Sequence, residues 1–345
     1  MISRAKAPVR VSFGGGGTDV PPYCVEHGGQ VVSTTITKFL HVTVKKHHKG
    51  GRTHVVRLFD LDREVRFPVG DQNYDGQADL VKACLGQFDL DEGVEVTVHS
   101  DLPPGSGMGT SSSLVVALLG AVSGFLGRGT PKAADAARLA YHVERDVLGH
   151  RGGYQDQYAA AFGGFNRISF GKEVVVTPLR LSRAVLNELK YRLLLVFTGR
   201  THLSAEVQKE VMGKDFNSMP RHVDFLEGMA KLKEVAGKMR DVLESGDLAR
   251  LDEFGHLLHE GWVAKKSLSE KISTSDVEKL YLSARSHGAV GGKLLGAGGG
   301  GHLLLFVDPE KRREVVSHVK ALGGKVVSFE FEERGLQVWA WEDER

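Results

Sequence analysis

Cysteine is nearly absent. Cys24 and Cys84 are the two in 345 residues, far apart and without a CxxC spacing. That excludes a disulfide framework and a thiolate metal site, and it predicts two reduced, buried thiols in a cytoplasmic protein. Charge of one sign is also missing: 45 Lys plus Arg stand against 43 Asp plus Glu, for a net charge of +2. No bulk field therefore draws the chain to nucleic acid or to a membrane. No hydrophobic run is long enough to span a bilayer; the longest, Leu114 to Leu126, reads as a buried helix. The start, "MISRAKAPVRVSF", lacks the apolar core of a signal peptide. Neither HExxH nor a Cys/His framework accompanies the histidines. His47, His48 and His54 therefore read as part of a polar hairpin, and His256 and His259 as one face of an amphipathic helix.

What is abundant is glycine, with 43 residues. The glycines are concentrated in "FGGGGTD" (13–19), "PPGSGMG" (103–109), "GHRGGYQDQ" (149–157), "AFGGF" (161–165) and "GGKLLGAGGGGHLLLF" (291–306). Each cluster abuts a strand-like or helix-like run, so each is a shaped loop rather than a tether.

The length suggests two domains, and the texture changes near residue 190, which gives 1–190 and 191–345. The first part reads as strands at Val9–Phe13 and Gln30–Lys46, a hairpin turning near Asp60–Arg63, a helix over 77–88, and a strand at 94–100. An apolar helix over 112–126 follows. A second begins with Pro131 in its first turn and ends near Gly149; a third covers 156–162, before strands at "FNRISF" and "EVVVTPL". The second part alternates strands ("RLLLVF", "GHLLLFV", "KVVSFEF", "GLQVWAW") with helices over 204–266, 275–287 and 309–322, an α+β pattern without a repeat.

The loop at 103–113 fits neither familiar phosphate fingerprint. A Walker A loop needs a lysine after its last glycine, and Thr110 follows Gly109. A dinucleotide loop needs G-x-G-x-x-G with an acid about twenty positions on, and the glycines here alternate at 105, 107 and 109. Its chemistry still suits a polyphosphate. Glycines let consecutive N–H groups point inward, and a helix starting near Ser111 adds free N–H groups and its positive dipole end. A plain strand–turn–helix corner with a serine cap explains the loop alone equally well.

The order of three motifs, at 7–19, 103–113 and 292–301, resembles the GHMP kinase superfamily over essentially the whole chain. The middle motif departs slightly, with Thr110 before Ser111 and Ser112 where the family often has Ser-Ser-Ala, and a hydroxyl is kept. Within the superfamily, "APVRVSFGGGGTDVPPY", "GGYQDQYAAAFGGFN" and "GGKLLGAGGGGHLLLF" are similar to the D-glycero-D-manno-heptose 7-phosphate kinases. The resemblance implies an α+β fold with an N-terminal ribosomal S5 domain 2-like domain and a C-terminal ferredoxin-like domain. It also implies an ATP- and Mg2+-dependent sugar kinase acting on the anomeric hydroxyl of a sugar phosphate, with a homodimer compatible with the sequence. A sugar 1-kinase for an unphosphorylated acceptor and a catalytically silent sugar sensor are the rival readings.

Carried over by motif, Asp156 would be the catalytic aspartate, a base for the attacking sugar hydroxyl or a group that only orients it, and Arg10 its cationic neighbour. The ATP loop would be Pro104, Gly105, Ser106, Gly107, Met108, Gly109, Thr110, Ser111 and Ser112. Ser111 and Glu144 would hold magnesium; Gly15, Gly16, Thr18, Asp19, Gly153 and Tyr154 would line the acceptor. The glycines around 296–301 would support both from the second domain. Plainer alternatives stand beside these: a helix cap for Asp156, a surface charge for Arg10, a solvated helix charge for Glu144, a turn for Asp19. For the acceptor's own phosphate the candidates are Arg151, Arg200 and Lys293, beside glycine clusters.

Overall fold

The computed structural model describes residues 1–47, 51–201 and 222–342. The expected helix over 204–266 therefore has its first part outside the described residues, as does His48.

The first half is built on one mixed sheet. Its strands are β1 (Ile2–Gly14), β2 (Gly29–Lys46), β3 (Thr53–Leu58), β4 (Arg63–Pro68), β5 (Val94–Ser100), β6 (Asn166–Phe170) and β7 (Val175–Pro178). Against it lie α1 (Tyr23–His27), α2 (Asp79–Leu85), α3 (Thr110–Phe125), α4 (Ala133–His142) and α5 (Gln155–Phe162). After α6 (Arg183–Arg192) comes β8 (Leu193–Phe197), then three helices, α7 (His222–Glu244), α8 (Leu251–Lys266) and α9 (Ser275–Ser286). The hairpin β9 (Ala289–Leu294) and β10 (His302–Val307), helix α10 (Arg312–Ala321) and β11 (Lys325–Val327) complete a second sheet. Its order, β11-β8-β10-β9 with every pair antiparallel, is the ferredoxin-like arrangement.

The chain's end does not stay with the second sheet. β12 (Phe331–Glu332) pairs with β2, and β13 (Gln337–Trp341) pairs with β1, extending the first sheet to nine strands in the order β13-β1-β2-β5-β3-β4 with β6, β7 and β12 off that path. β3 and β5 run parallel, so the sheet is mixed.

Burial explains the layering. α3 is apolar on nearly every side and buries twelve of its sixteen residues, so it is a central core helix. Strand β1 carries the junction: Ala5 and Ala7 face the first core, whereas Val9, Val11 and Phe13 join a second cluster with Val235, Met239, Phe254, Leu258 and Phe306. Phe13 meets Phe254 edge-on at 5.3 Å between ring centres. Because alternate strand residues face opposite sides, Arg10 and Ser12 point away from that shared core. Both cysteines are buried and unpaired, as expected.

Two local expectations shift. Pro131 lies outside α4, just before the cap residue Lys132, where its missing N–H costs nothing. The helix also ends as α-helix at His142 and continues as a five-residue π turn, Val143–Val147. One extra residue per turn re-aims side chains there, and it leaves Glu144 only 2% exposed.

Candidate active site

Three loops meet at the N-terminus of α5. The 103–109 loop leaves β5 with Gly105, Gly107 and Gly109 at φ +73°, +75° and +74°, the left-handed region. Ser106 and Met108 between them are fully buried, so the loop is anchored by alternate side chains while its glycine backbone stays accessible. α3 then starts at Thr110, its first N–H groups opening beside the loop.

The second half props this loop from behind. A Cβ on Gly107 would lie 2.5 Å from the Leu295 carbonyl oxygen, and one on Gly301 2.6 Å from that of Ser106. His302 Nδ1 lies 2.8 Å from the Ser106 carbonyl, fixing the same segment. The glycines around 296–301 therefore let two backbones pack directly against one another.

From the front, Arg10 ties loop to acid. Its Nε donates to Asp156 Oδ1 at 2.8 Å and its Nη1 to the Gly107 carbonyl at 2.8 Å. The Arg10 amide also donates to the Met108 carbonyl at 3.2 Å. Arg10 is 4% exposed, so it is a buried cation rather than a strand-end charge. A Cβ on Gly109 would come within 3.0 Å of Asp156 Cγ; loop and acid face each other at contact distance.

Asp156 does not cap α5; Tyr154 occupies that position, with its ring stacked on Tyr141 at 3.9 Å. The three consecutive residues Gln155, Asp156 and Gln157 instead fan out to three partners. Gln155 donates to Asp19 through its backbone N at 3.1 Å and its Nε2 at 2.9 Å. Asp156 receives Arg10, and Gln157 Nε2 donates to Glu144 Oε2 at 2.5 Å. Ser111 Oγ and Ser112 Oγ donate to the same Glu144 carboxylate at 2.8 and 2.6 Å. The sequence expectation singled out Asp156 alone; the glutamines on either side are the residues it missed, although "YQDQ" inside a glycine frame was their signal.

The acceptor-side residues separate by environment. Asp19 is 1% exposed and accepts from Gly17 N at 3.0 Å as well as from Gln155. Burial pushes its pKa up, the Gln155 N–H pulls it down, and the nearby Asp156 charge pushes it up again. Gly153 packs so tightly on Asp19 that a Cβ would overlap its carboxylate. Gly15 and Gly16 frame the turn, with Gly16 open toward Ser12 Oγ and Gln155. Thr18 has a different job from the ligand contact expected of it. Its hydroxyl donates to Gly15 O at 2.8 Å or Gln30 O at 3.0 Å and accepts from Gln30 N at 3.1 Å, so its single proton is committed inside the loop. Thr18→Val should cost about 1–3 kcal/mol by stranding these groups; equilibrium urea unfolding checks it, and a change below about 0.5 kcal/mol would contradict this role.

Of the three phosphate candidates, Arg200 is exposed and paired with Asp276 at 2.7 Å, and Arg151 sits in the coil before α5. Lys293, one residue before the end of β9, is 9% exposed. Burial, followed by repulsion from Lys265 and Arg10, lowers its pKa from 10.5 to about 7. Lys265 on α8 was not foreseen; its Nζ donates to Gly16 O at 3.2 Å, and burial lowers its pKa while the Asp19 charge raises it. The Lys293 shift carries a sign: between about pH 7 and 10 the unfolded chain holds this proton and the folded one does not, so ligand-free stability rises with pH there. Thermal melts at pH 7 and pH 9 should show a smaller gain in Lys293→Met than in the wild type, and equal gains would contradict the burial of a free ammonium.

The histidines do structural work. His47 Nδ1 lies 2.9 Å from Glu95 Oε1, His54 accepts from Val94 N at 3.1 Å, and His259 contacts Tyr281 Oη at 2.6 Å.

A glycine loop at the mouth of a buried helix, with a carboxylate–guanidinium pair facing it from other segments, has the chemistry that a small-molecule kinase needs. The comparisons agree. Residues 77–164 match the GHMP kinases N terminal domain and residues 239–325 the GHMP kinases C terminal domain. The chain is 34% identical to the D-glycero-alpha-D-manno-heptose 7-phosphate kinase of Campylobacter jejuni, over 97% of this chain and 98% of that protein. It is 31% identical to the mevalonate kinase of Pyrococcus horikoshii over 75% of this chain and 72% of the other. The crystal structure of a D-glycero-D-manno-heptose 1-phosphate kinase from Bacteroides thetaiotaomicron superposes with a TM-score of 0.79 at 32% identity, covering 99% of this chain and 100% of that one. The chain belongs to the GHMP kinase family. No helix among the described residues is long and apolar enough to cross a membrane.

Proposed function

We propose that the chain transfers the γ-phosphoryl group of ATP to the anomeric C1 hydroxyl of D-glycero-D-manno-heptose 7-phosphate. The product is the 1,7-bisphosphate, a precursor of nucleotide-activated heptose, made in the cytoplasm where ATP is available. The observation that carries this reading is the single helical turn Gln155-Asp156-Gln157, which gathers Asp19, Arg10 and Glu144 at the mouth of the 103–112 loop.

In this reading the amides of 105–112, framed by Pro104, receive the triphosphate, with the hydroxyls of Thr110 and Ser111 beside them. Asp156 accepts the proton of the attacking sugar hydroxyl or holds that hydroxyl in line; Arg10 fixes the Asp156 carboxylate in place and offsets charge on the transferring phosphoryl. Asp19 has three of its roughly four acceptor sites filled, which leaves room for one sugar hydroxyl. Gly15, Gly16, Gly153 and the Tyr154 ring complete the acceptor's walls.

The donor set fits magnesium. Ser111 Oγ and Glu144 Oε1 are hard oxygens 2.8 Å apart, the donor type that magnesium prefers. Ser111 and Glu144 would hold the ion, which supplies charge neutralisation for the phosphate oxygens.

The two heptose kinases named above are named for heptose phosphates that differ in position, the 7-phosphate and the 1-phosphate. An acceptor screen coupled to ADP release, with the product read by phosphorus NMR, separates the choices. Turnover of heptose 7-phosphate with a new anomeric phosphate signal is expected. Faster turnover of unphosphorylated hexoses, or of the 1-phosphate, would overturn the assignment.

A further inference from the structure

The cations of this site are unevenly paired. Arg10 is matched by Asp156 at 2.8 Å. Lys265 lies against the first glycine cluster: its Nζ donates to Gly16 O at 3.2 Å, and a Cβ on Gly17 would sit 2.9 Å from it. Asp19 is the carboxylate whose field Lys265 feels, although among the described residues the two form no ion pair. Lys293 is buried at 9% exposure and has no hydrogen-bond or ion-pair partner among the described residues. Helix α8, which carries Lys265, packs directly against β9, which carries Lys293, and the charges of Lys265 and Arg10 act on Lys293. An ammonium removed from water without a counter-charge is strongly disfavoured, and a ligand anion is the usual remedy.

Resting on the reading of the acceptor as a sugar phosphate, we propose that Lys265 of α8 and Lys293 of β9 together hold the phosphate monoester that the acceptor brings with it. A phosphate monoester carries close to two negative charges at neutral pH, which matches two ammonium groups. The triphosphate is a poorer occupant. The 103–112 segment supplies its own amides and a helix N-terminus, and among the described residues neither lysine hydrogen-bonds to that loop. Lys265 is instead fastened to Gly16, in the cluster that carries Asp19. The two lysines come from the second half of the chain while Asp19 and Asp156 come from the first, so an acceptor with a phosphate at one end bridges both.

The test is steady-state kinetics of Lys265→Met and Lys293→Met with heptose 7-phosphate and with the same heptose lacking the phosphate. ATP and acceptor are varied separately. The expected result is a rise in KM for heptose 7-phosphate of about 10–100-fold and a collapse of the preference for the phosphorylated acceptor by a similar factor, with KM for ATP within about twofold. Calorimetric binding of heptose 7-phosphate without ATP should weaken in parallel, and Lys265→Arg should recover part of the loss. Equal losses with both acceptors, or a rise in KM for ATP, would assign the lysines to the triphosphate and overturn the proposal. Removing a buried unpaired charge should leave the melting temperature of Lys293→Met at or above that of the wild type, which excludes misfolding as the cause. If the wild type itself shows no preference for the phosphorylated sugar, the acceptor reading fails. If it does and both variants keep that preference, the lysine assignment alone fails.

Discussion

Asp156→Asn should lower kcat by about a hundred- to ten-thousand-fold and leave KM for ATP within about threefold of the wild type. The substitution keeps an oxygen at the place where Arg10 Nε donates, so Arg10 stays bonded on both sides, to residue 156 and to the Gly107 carbonyl. Loop position is thereby preserved, and the negative charge that accepts or orients the hydroxyl proton is lost. Asp156→Ala is the less informative variant. It strands one guanidinium N–H of a residue 4% exposed, a cost of about 1–3 kcal/mol that would mix stability with chemistry. A fall in kcat of less than tenfold in Asp156→Asn, with an unchanged melting curve, would mean that the carboxylate only anchors Arg10.

Glu144→Gln should raise the magnesium concentration for half-maximal activity by about 10–100-fold and lower kcat/KM for ATP by a similar factor. The carboxylate receives Ser111, Ser112 and Gln157, three donors on two oxygens. An amide replaces one of those oxygens with a donor, so a hydroxyl must turn and one contact is lost, at about 1–3 kcal/mol of stability. A metal role and a scaffold role predict different data. With a metal role, saturating magnesium recovers most of the activity. With a scaffold role alone, the melting temperature falls while the magnesium dependence stays as in the wild type.

The parts of this site that were legible in the sequence are those whose chemistry is local. A glycine run after a strand, an alternating glycine loop before an apolar helix, and an acid inside "GGYQDQ" each announce a shaped backbone at a known place. Long-range partners were not legible. Lys265 sits in "EGWVAKK", where nothing distinguishes it from Lys266, its neighbour paired with Glu278 at 2.6 Å. Only the packing of α8 over the first glycine cluster turns it inward. Lys293 and Arg200 had equal claims as residues beside glycines, and burial in β9 against exposure at the end of β8 separates them. Glu144 depends on the π turn that follows α4, and the helical pattern gave no sign of that extra residue. The return of β12 and β13 to the first sheet is likewise a matter of register across the whole chain: β12 is two residues long and owes its place to pairing with Ile36 and Thr35. The loop-internal bonding of Thr18 was hidden for a related reason, since Gln30, its partner, lies beyond α1.

The account stands on convergence: main-chain amides at the start of α3 and the Asp156 carboxylate act on opposite ends of one transferring phosphoryl group. A crystal structure with a non-hydrolysable ATP analogue and heptose 7-phosphate measures this directly. The β- and γ-phosphate oxygens should lie about 3 Å from backbone N–H groups of residues 107–112, with the sugar's C1 oxygen at a similar distance from Asp156. A triphosphate seated away from that loop, or a C1 hydroxyl turned from Asp156 while the phosphates are in place, would contradict it.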